Sequence, residues 1–143
     1  MELPDDSVFT QLTIEVPSVA LSRDTTKTRA ALKILTSFNI GISIDDVTDN
    51  SSWIDIGGFP ISELQVKSDF LEDLNDRNKD KAGAKIIKLA KEIGARTTAT
   101  GIETSAVFKA VHEMGFDLGQ GDLFGKVMDA QRFARTVLRR QPK

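Results

Sequence analysis

The sequence contains no cysteine and only one histidine, His112. Disulfide frameworks, thiol catalysis and zinc–thiolate sites are therefore excluded, as is a multi-histidine metal site. Charge of one dominant sign is also missing: 19 Lys and Arg stand against 21 Asp and Glu, a formal net charge of −2. Without a strong positive field, no nucleic-acid partner is expected. No apolar run approaches the roughly 18–20 residues that span a bilayer, so no membrane partner is expected either. The acidic start, Met1 to Asp6, lacks the basic-then-apolar order of a signal peptide. What is present is 143 residues, 40% hydrophobic and 28% charged. That profile predicts one soluble, cytoplasmic domain over residues 1–143.

Leu12 to Val16 reads as a strand that Pro17 stops. Asp24 reads as the N-cap of a helix whose apolar stripe holds Ala31, Leu32, Ile34, Leu35 and Phe38, with Asn39 as a left-handed cap. Gly41 to Val47 is the second strand and Glu63 to Lys67 the third. Between them lie a polar turn, Thr48 to Ser52, and a short helix, Trp53 to Ile56; Trp53 suits core and interface equally. A short helix, Asp69 to Leu74, leads through a charged link, Asp76 to Lys81, into a helix that buries Ile86, Leu89, Ala90 and Ile93. Arg96 to Ile102 is the fourth strand, and Thr104 caps a helix that Gly115 ends. A short fifth strand falls within Leu118 to Phe124, and Asp129 caps a last helix with Phe133, Ala134, Val137 and Leu138 on one side. Repeated strand–helix units imply parallel strands joined by right-handed crossovers. Gly119, Gly121 and Gly125 miss the dinucleotide-binding spacing and read as tight turns. His112 reads as a structural or surface residue.

In parallel α/β sheets, chemistry gathers at the carboxyl ends of the strands. Glu15 near the end of strand one, Asp45 and Asp46 closing strand two, and Glu103 after strand four would share one rim. Carboxylates there suit a hard cation such as Mg²⁺. They also suit plain helix capping, which spacing alone favours.

Five blocks then fall in order: Leu12-Thr13-Ile14-Glu15-Val16, Ile42-Ser43-Ile44-Asp45-Asp46, Phe59 through Phe70, Ala99-Thr100-Gly101-Ile102-Glu103-Thr104, and Gln120 through Lys126. Together they resemble successive blocks of the EAL domain family. The resemblance implies a (β/α)8-type barrel and a phosphodiesterase that opens cyclic di-GMP to its linear dinucleotide. Two divalent cations, Mg or Mn, would activate a water and neutralise the phosphate. It places Glu15, Asp45 and Asp46 on metal-binding acids. Glu103 falls on a glutamate that helps hold the loop after the aspartate pair, and Gln120 on a glutamine near the last strand; these two are the candidate ligand-binding residues.

The departures from the family pattern matter more. The Glu-Ala-Leu block is absent, and so is the metal-binding asparagine that follows it. Gln65 replaces a lysine, Lys67 the acid two residues on, and Thr100 the glutamate proposed as general base. Val47-Thr48-Asp49-Asn50 replaces a glycine-bearing loop. Gln65 brings no cation to a phosphate, and Thr100 offers no proton-accepting carboxylate, a group worth roughly 10²–10⁴-fold. Lys67 repels incoming cations. No catalytic residue is therefore expected, and no cofactor is required. Glu15, Asp45 and Asp46 are expected to form a vestigial metal site with weak Mg or Mn binding at most. The functional expectation is a degenerate regulatory or scaffolding module that works by protein–protein contact in bacterial signalling. The alternatives are a cyclic di-GMP receptor without hydrolysis and, behind it, a metal-dependent phosphodiesterase.

A closed eight-stranded barrel needs about 200–250 residues. Five strands predict an α/β fold, a partial or rearranged EAL-type barrel with parallel strands and flanking helices. Its early strands are missing, which predicts free strand edges and an exposed apolar interior. The sheet could open into layers. A homodimer or a partner protein could cover the open side. The chain could be a piece of a longer protein, against which Met1 counts mildly. Covering by a second copy or a partner is the expected outcome.

Overall fold

The computed structural model describes residues 12–23, 25–48, 58–72 and 76–140. Five strands, β1 (Thr13–Pro17), β2 (Gly41–Asp45), β3 (Glu63–Lys67), β4 (Arg96–Thr100) and β5 (Leu118–Gly119), form one sheet in chain order, with every pairing parallel. Each strand pairs with the one before it, so successive crossovers step in one direction. That is the winding of a barrel wall, whereas a doubly wound sheet reverses its strand order. The described helices are α1 (Ser18–Arg23), α2 (Thr25–Ser37), α3 (Ser68–Glu72), α4 (Asp76–Ile93), α5 (Ser105–Met114) and α6 (Ala130–Arg140).

Side chains alternate across the sheet, and the register sorts them into two sets. One set holds Val16, Ile42, Ile44, Leu64, Val66 and Ala99, aligned across neighbouring strands. The hydrophobic cluster takes its strand members from this set alone and joins them to Leu21, Leu32, Leu71, Ile86, Ala90 and Val111 of the helices. The other set holds Glu15, Ser43, Asp45, Glu63, Gln65, Lys67, Arg96, Thr98 and Thr100. The face away from the helices is therefore polar. This corrects the expected apolar interior: Ser43, Glu63, Gln65 and Arg96 there bond to one another instead of packing as hydrocarbon.

Capping residues place the helices as their chemistry dictates. Thr104 accepts a bond from the Val107 amide at 3.3 Å, and Gly115 closes α5 in the left-handed region at φ 93°. The Asp129 carboxylate accepts from the Arg132 amide at 2.8 Å and starts α6. Asn39 takes φ 59° behind α2, as its type allows.

Several expectations are revised. The helical turns before β2 begin at Ser18, and Asp24 lies outside the described residues. On α2 Leu32 is buried, but Ile34 and, in the turn just past the helix, Phe38 are exposed, because the helix packs on α1 and β2 beside the edge of the sheet. Asp76–Lys81 is no link; it is the start of α4. The short helix is Ser68–Glu72, and residues 73–75 lie outside the described set. β2 ends at Asp45 and β4 at Thr100, each two residues early. Trp53 and its expected helix lie outside the described residues. Phe133 on α6 is half-exposed.

Candidate functional site

The polar face carries a hydrogen-bonded chain across four strands. Gln65 Nε2 donates to Glu15 Oε1 at 3.0 Å and to Ser43 Oγ at 2.9 Å, and lies 3.1 Å from Glu63 Oε1. The Ser43 hydroxyl donates to Glu63 Oε1 at 3.1 Å, and Arg96 Nε donates to Glu63 Oε2 at 2.7 Å. Ser43, Glu63 and Gln65 are buried. A buried carboxylate is costly unless paired, and Arg96 with Ser43 supplies the pairing for Glu63. Beside them Thr98 Oγ1 is buried with no hydrogen-bond partner among the described residues.

The second cluster forms where β2 ends. Asp46 adopts φ 56°, a left-handed turn that aspartate tolerates better than most residues. Four bonds hold that turn. The Asp46 amide donates to Asp45 Oδ1 at 2.8 Å, and Ser18 Oγ donates to the Asp46 carbonyl at 3.1 Å. The Val47 amide donates to the Gln65 carbonyl at 3.0 Å, and Lys67 Nζ meets Asp46 Oδ1 at 2.5 Å. The Asp46 carboxylate, by hydrogen bond and charge, raises the Lys67 ammonium above its ordinary 10.5; Asp45 and Asp69 add to this.

The four acids expected on one rim are thus split. Glu15 sits mid-strand in β1 and serves Gln65. Asp45 and Asp46 form the turn with Lys67. Glu103 is exposed beyond β4, and the loop it was expected to hold, from Asp49 onward, lies outside the described residues. Gln120 contributes backbone: its amide donates to the Ala99 carbonyl at 2.9 Å and its carbonyl accepts from the Ile102 amide at 3.0 Å, while its side chain is exposed. Thr100 lies in register with Lys67. His112 is exposed and stacks on Phe108 with ring centroids 5.9 Å apart.

The divalent cations that the resemblance implies do not fit this donor set. Among the described residues, no three Asp, Glu, His or Cys side chains form a group able to hold a metal ion. Glu15 is committed to an amide and Asp46 to an ammonium. Sequence reasoning identified the replaced residues but missed Ser43, Glu63 and Arg96. Their signal was Glu63 at an inward-facing strand position, a charge that needs a partner.

A parallel sheet in barrel order, helices on its apolar side and a polar inner face define a segment of a (β/α) barrel wall. Residues 4–127 match the family model described as the EAL domain. The chain belongs to the EAL domain family. It is 30% identical over 128 residues to the bifunctional diguanylate cyclase/cyclic di-GMP phosphodiesterase MucR of Pseudomonas aeruginosa, covering 88% of this chain and 19% of that protein. It is 28% identical over 130 residues to the signaling protein YkoW of Bacillus subtilis, covering 89% and 16%. Among solved structures, the MucR phosphodiesterase in complex with c-di-GMP superposes with a TM-score of 0.76 at 30% identity, covering 85% of this chain and 55% of that one. The EAL domain of Mycobacterium smegmatis DcpA gives 0.75 at 20% identity, covering 92% and 60%, a likeness of fold alone. The chain therefore spans about a fifth of these curated relatives and little more than half of the solved domains. Among the described residues, no helix is long and apolar enough to cross a membrane.

Proposed function

We propose that this EAL domain is catalytically degenerate and acts by protein–protein contact, as a regulatory or scaffolding module in cyclic di-GMP signalling. One observation carries the reading: Gln65, where the family has a lysine, binds Glu15 and Ser43 through its amide. The group that should face a phosphate instead stabilises the chain's own polar face. Thr100 adds no base, since its hydroxyl has no proton-accepting form near neutral pH.

The interaction role draws on the free edges. Among the described residues β1 and β5 each pair on one side only. Leu12 and Val19 lie exposed beside β1; Phe108, Leu118, Leu123 and Phe124 lie exposed beside β5. Unpaired strand edges flanked by apolar side chains favour a covering protein, either a second copy or a partner. A hydrolysis assay with cyclic di-GMP and Mg²⁺ or Mn²⁺ is expected to show no turnover. Metal-dependent turnover that Asp45→Asn abolishes overturns the reading.

A second reading, a receptor that binds cyclic di-GMP without hydrolysis, is favoured by the MucR structure, which is itself a complex with that ligand. Calorimetric titration separates the two. Micromolar or tighter binding selects the receptor; its absence leaves the interaction module.

A further inference from the structure

We infer that Lys67 is a tethered cation that takes the place of a bound divalent ion at the carboxyl ends of β2 and β3, so the acidic corner keeps its shape without metal. Asp45 ends β2, Asp46 follows it, and Lys67 at the end of β3 pairs with the Asp46 carboxylate. Two adjacent carboxylates repel one another, and a cation beside them relieves the repulsion. Here the relief is covalently attached, and it touches Asp46 directly at 2.5 Å.

The rest of the corner is already closed. The Asp46 amide is held by Asp45, its carbonyl by Ser18, and the Val47 amide by the Gln65 carbonyl. An added ion would have to compete with Lys67 for Asp46, while Glu15 Oε1 already accepts a hydrogen bond from Gln65. An attached ammonium is present at any metal concentration, whereas a bound ion leaves when the free ion is scarce. The corner's chemistry stands or falls apart from the interaction role, because its test reads metal binding and not partner binding or turnover.

The test is thermal unfolding with and without millimolar Mn²⁺ or Mg²⁺, alongside Mn²⁺ broadening of the Asp46 amide signal. The wild type is expected to show the same melting temperature in both conditions and no selective broadening. Lys67→Asp is expected to gain a metal-dependent rise of about 4 °C together with broadening at Asp46. Lys67→Arg, which keeps the charge, is expected to stay unresponsive. The Lys67–Asp46 pair is half-exposed and therefore adds little to stability, so Lys67→Ala should fold and gain a smaller response. Two results overturn the inference. One is a wild-type metal response that Asp46→Asn removes. The other is a folded Lys67→Ala and Lys67→Asp pair that both ignore the metal.

Discussion

The amide of Gln65 has two hydrogens and three oxygen atoms within 3.1 Å. The arrangement closes because Ser43 accepts one hydrogen and passes its own to Glu63. Removing the amide at constant volume, as in Gln65→Met, takes from the buried Ser43 hydroxyl and from Glu15 Oε1 the hydrogens that Gln65 gives them. It is expected to lower stability by about 1–3 kcal/mol, measured by urea unfolding; a change near zero would show that the network adds nothing. The replacement at position 65 is legible in the sequence, but its partners are not. Glu15 and Ser43 lie 50 and 22 residues away, and only the strand register brings them onto the face that Glu63, two residues off on the same strand, shares by alternation.

Asp117 offers a second test at the same scale. Its carboxylate accepts from the Thr97 amide at 2.7 Å and the Thr97 hydroxyl at 2.8 Å, and these bonds hold it below the ordinary aspartate value of 3.8. A carboxyl depressed in the folded state stabilises fully above its unfolded value, and that contribution fades as pH falls through the folded value. Asp117→Ala is expected to cost about 1–2 kcal/mol near neutral pH, toward the lower end because the carboxylate is exposed. The gap from wild type should narrow below pH 3.8. A gap that is constant from neutral pH to acid would contradict the assignment.

Among the elements, α5 is fixed at both ends by residues whose chemistry shows in the sequence, Thr104 and Gly115. Thr104→Ala is expected to cost about 1 kcal/mol of stability in thermal or urea melts. Gly121→Ala should cost more, about 1–3 kcal/mol, because a Cβ there would overlap the Ile102 backbone, which cannot swing aside as a side chain would. Equal losses in the two variants would count against this ranking. The elements that escaped the sequence share one cause. Asp76–Lys81 holds charged residues with no apolar repeat, so periodicity cannot mark it as the first turns of α4. The opposite error fell on α2. Its repeat looks continuous to Phe38, yet which apolar positions find a neighbour depends on where the sheet ends.

For the whole molecule, the polar inner face changes what association rests on. Among the described residues a second copy meets no apolar interior, only the edges and the side chains beside them. Light scattering across a concentration series is expected to show a mass that rises above the monomer, and Phe124→Asp is expected to return it toward one chain. A strict monomer at every concentration would remove the pairing argument. The barrel-like winding, the strand count and the parallel sense were all legible in the order of the sequence blocks. The polarity of the inner face was legible only in part, because alternation shows which residues share a side and not which side the helices take.

The sheet's strand order has a consequence for how the chain is made. Each strand joins the edge laid down just before it, and none has to be threaded between two that are already paired. A chain leaving the ribosome amino end first can therefore build this sheet vectorially, docking one strand at a time. Each docking event closes a loop to the nearest preceding strand, the least costly closure open to a parallel sheet.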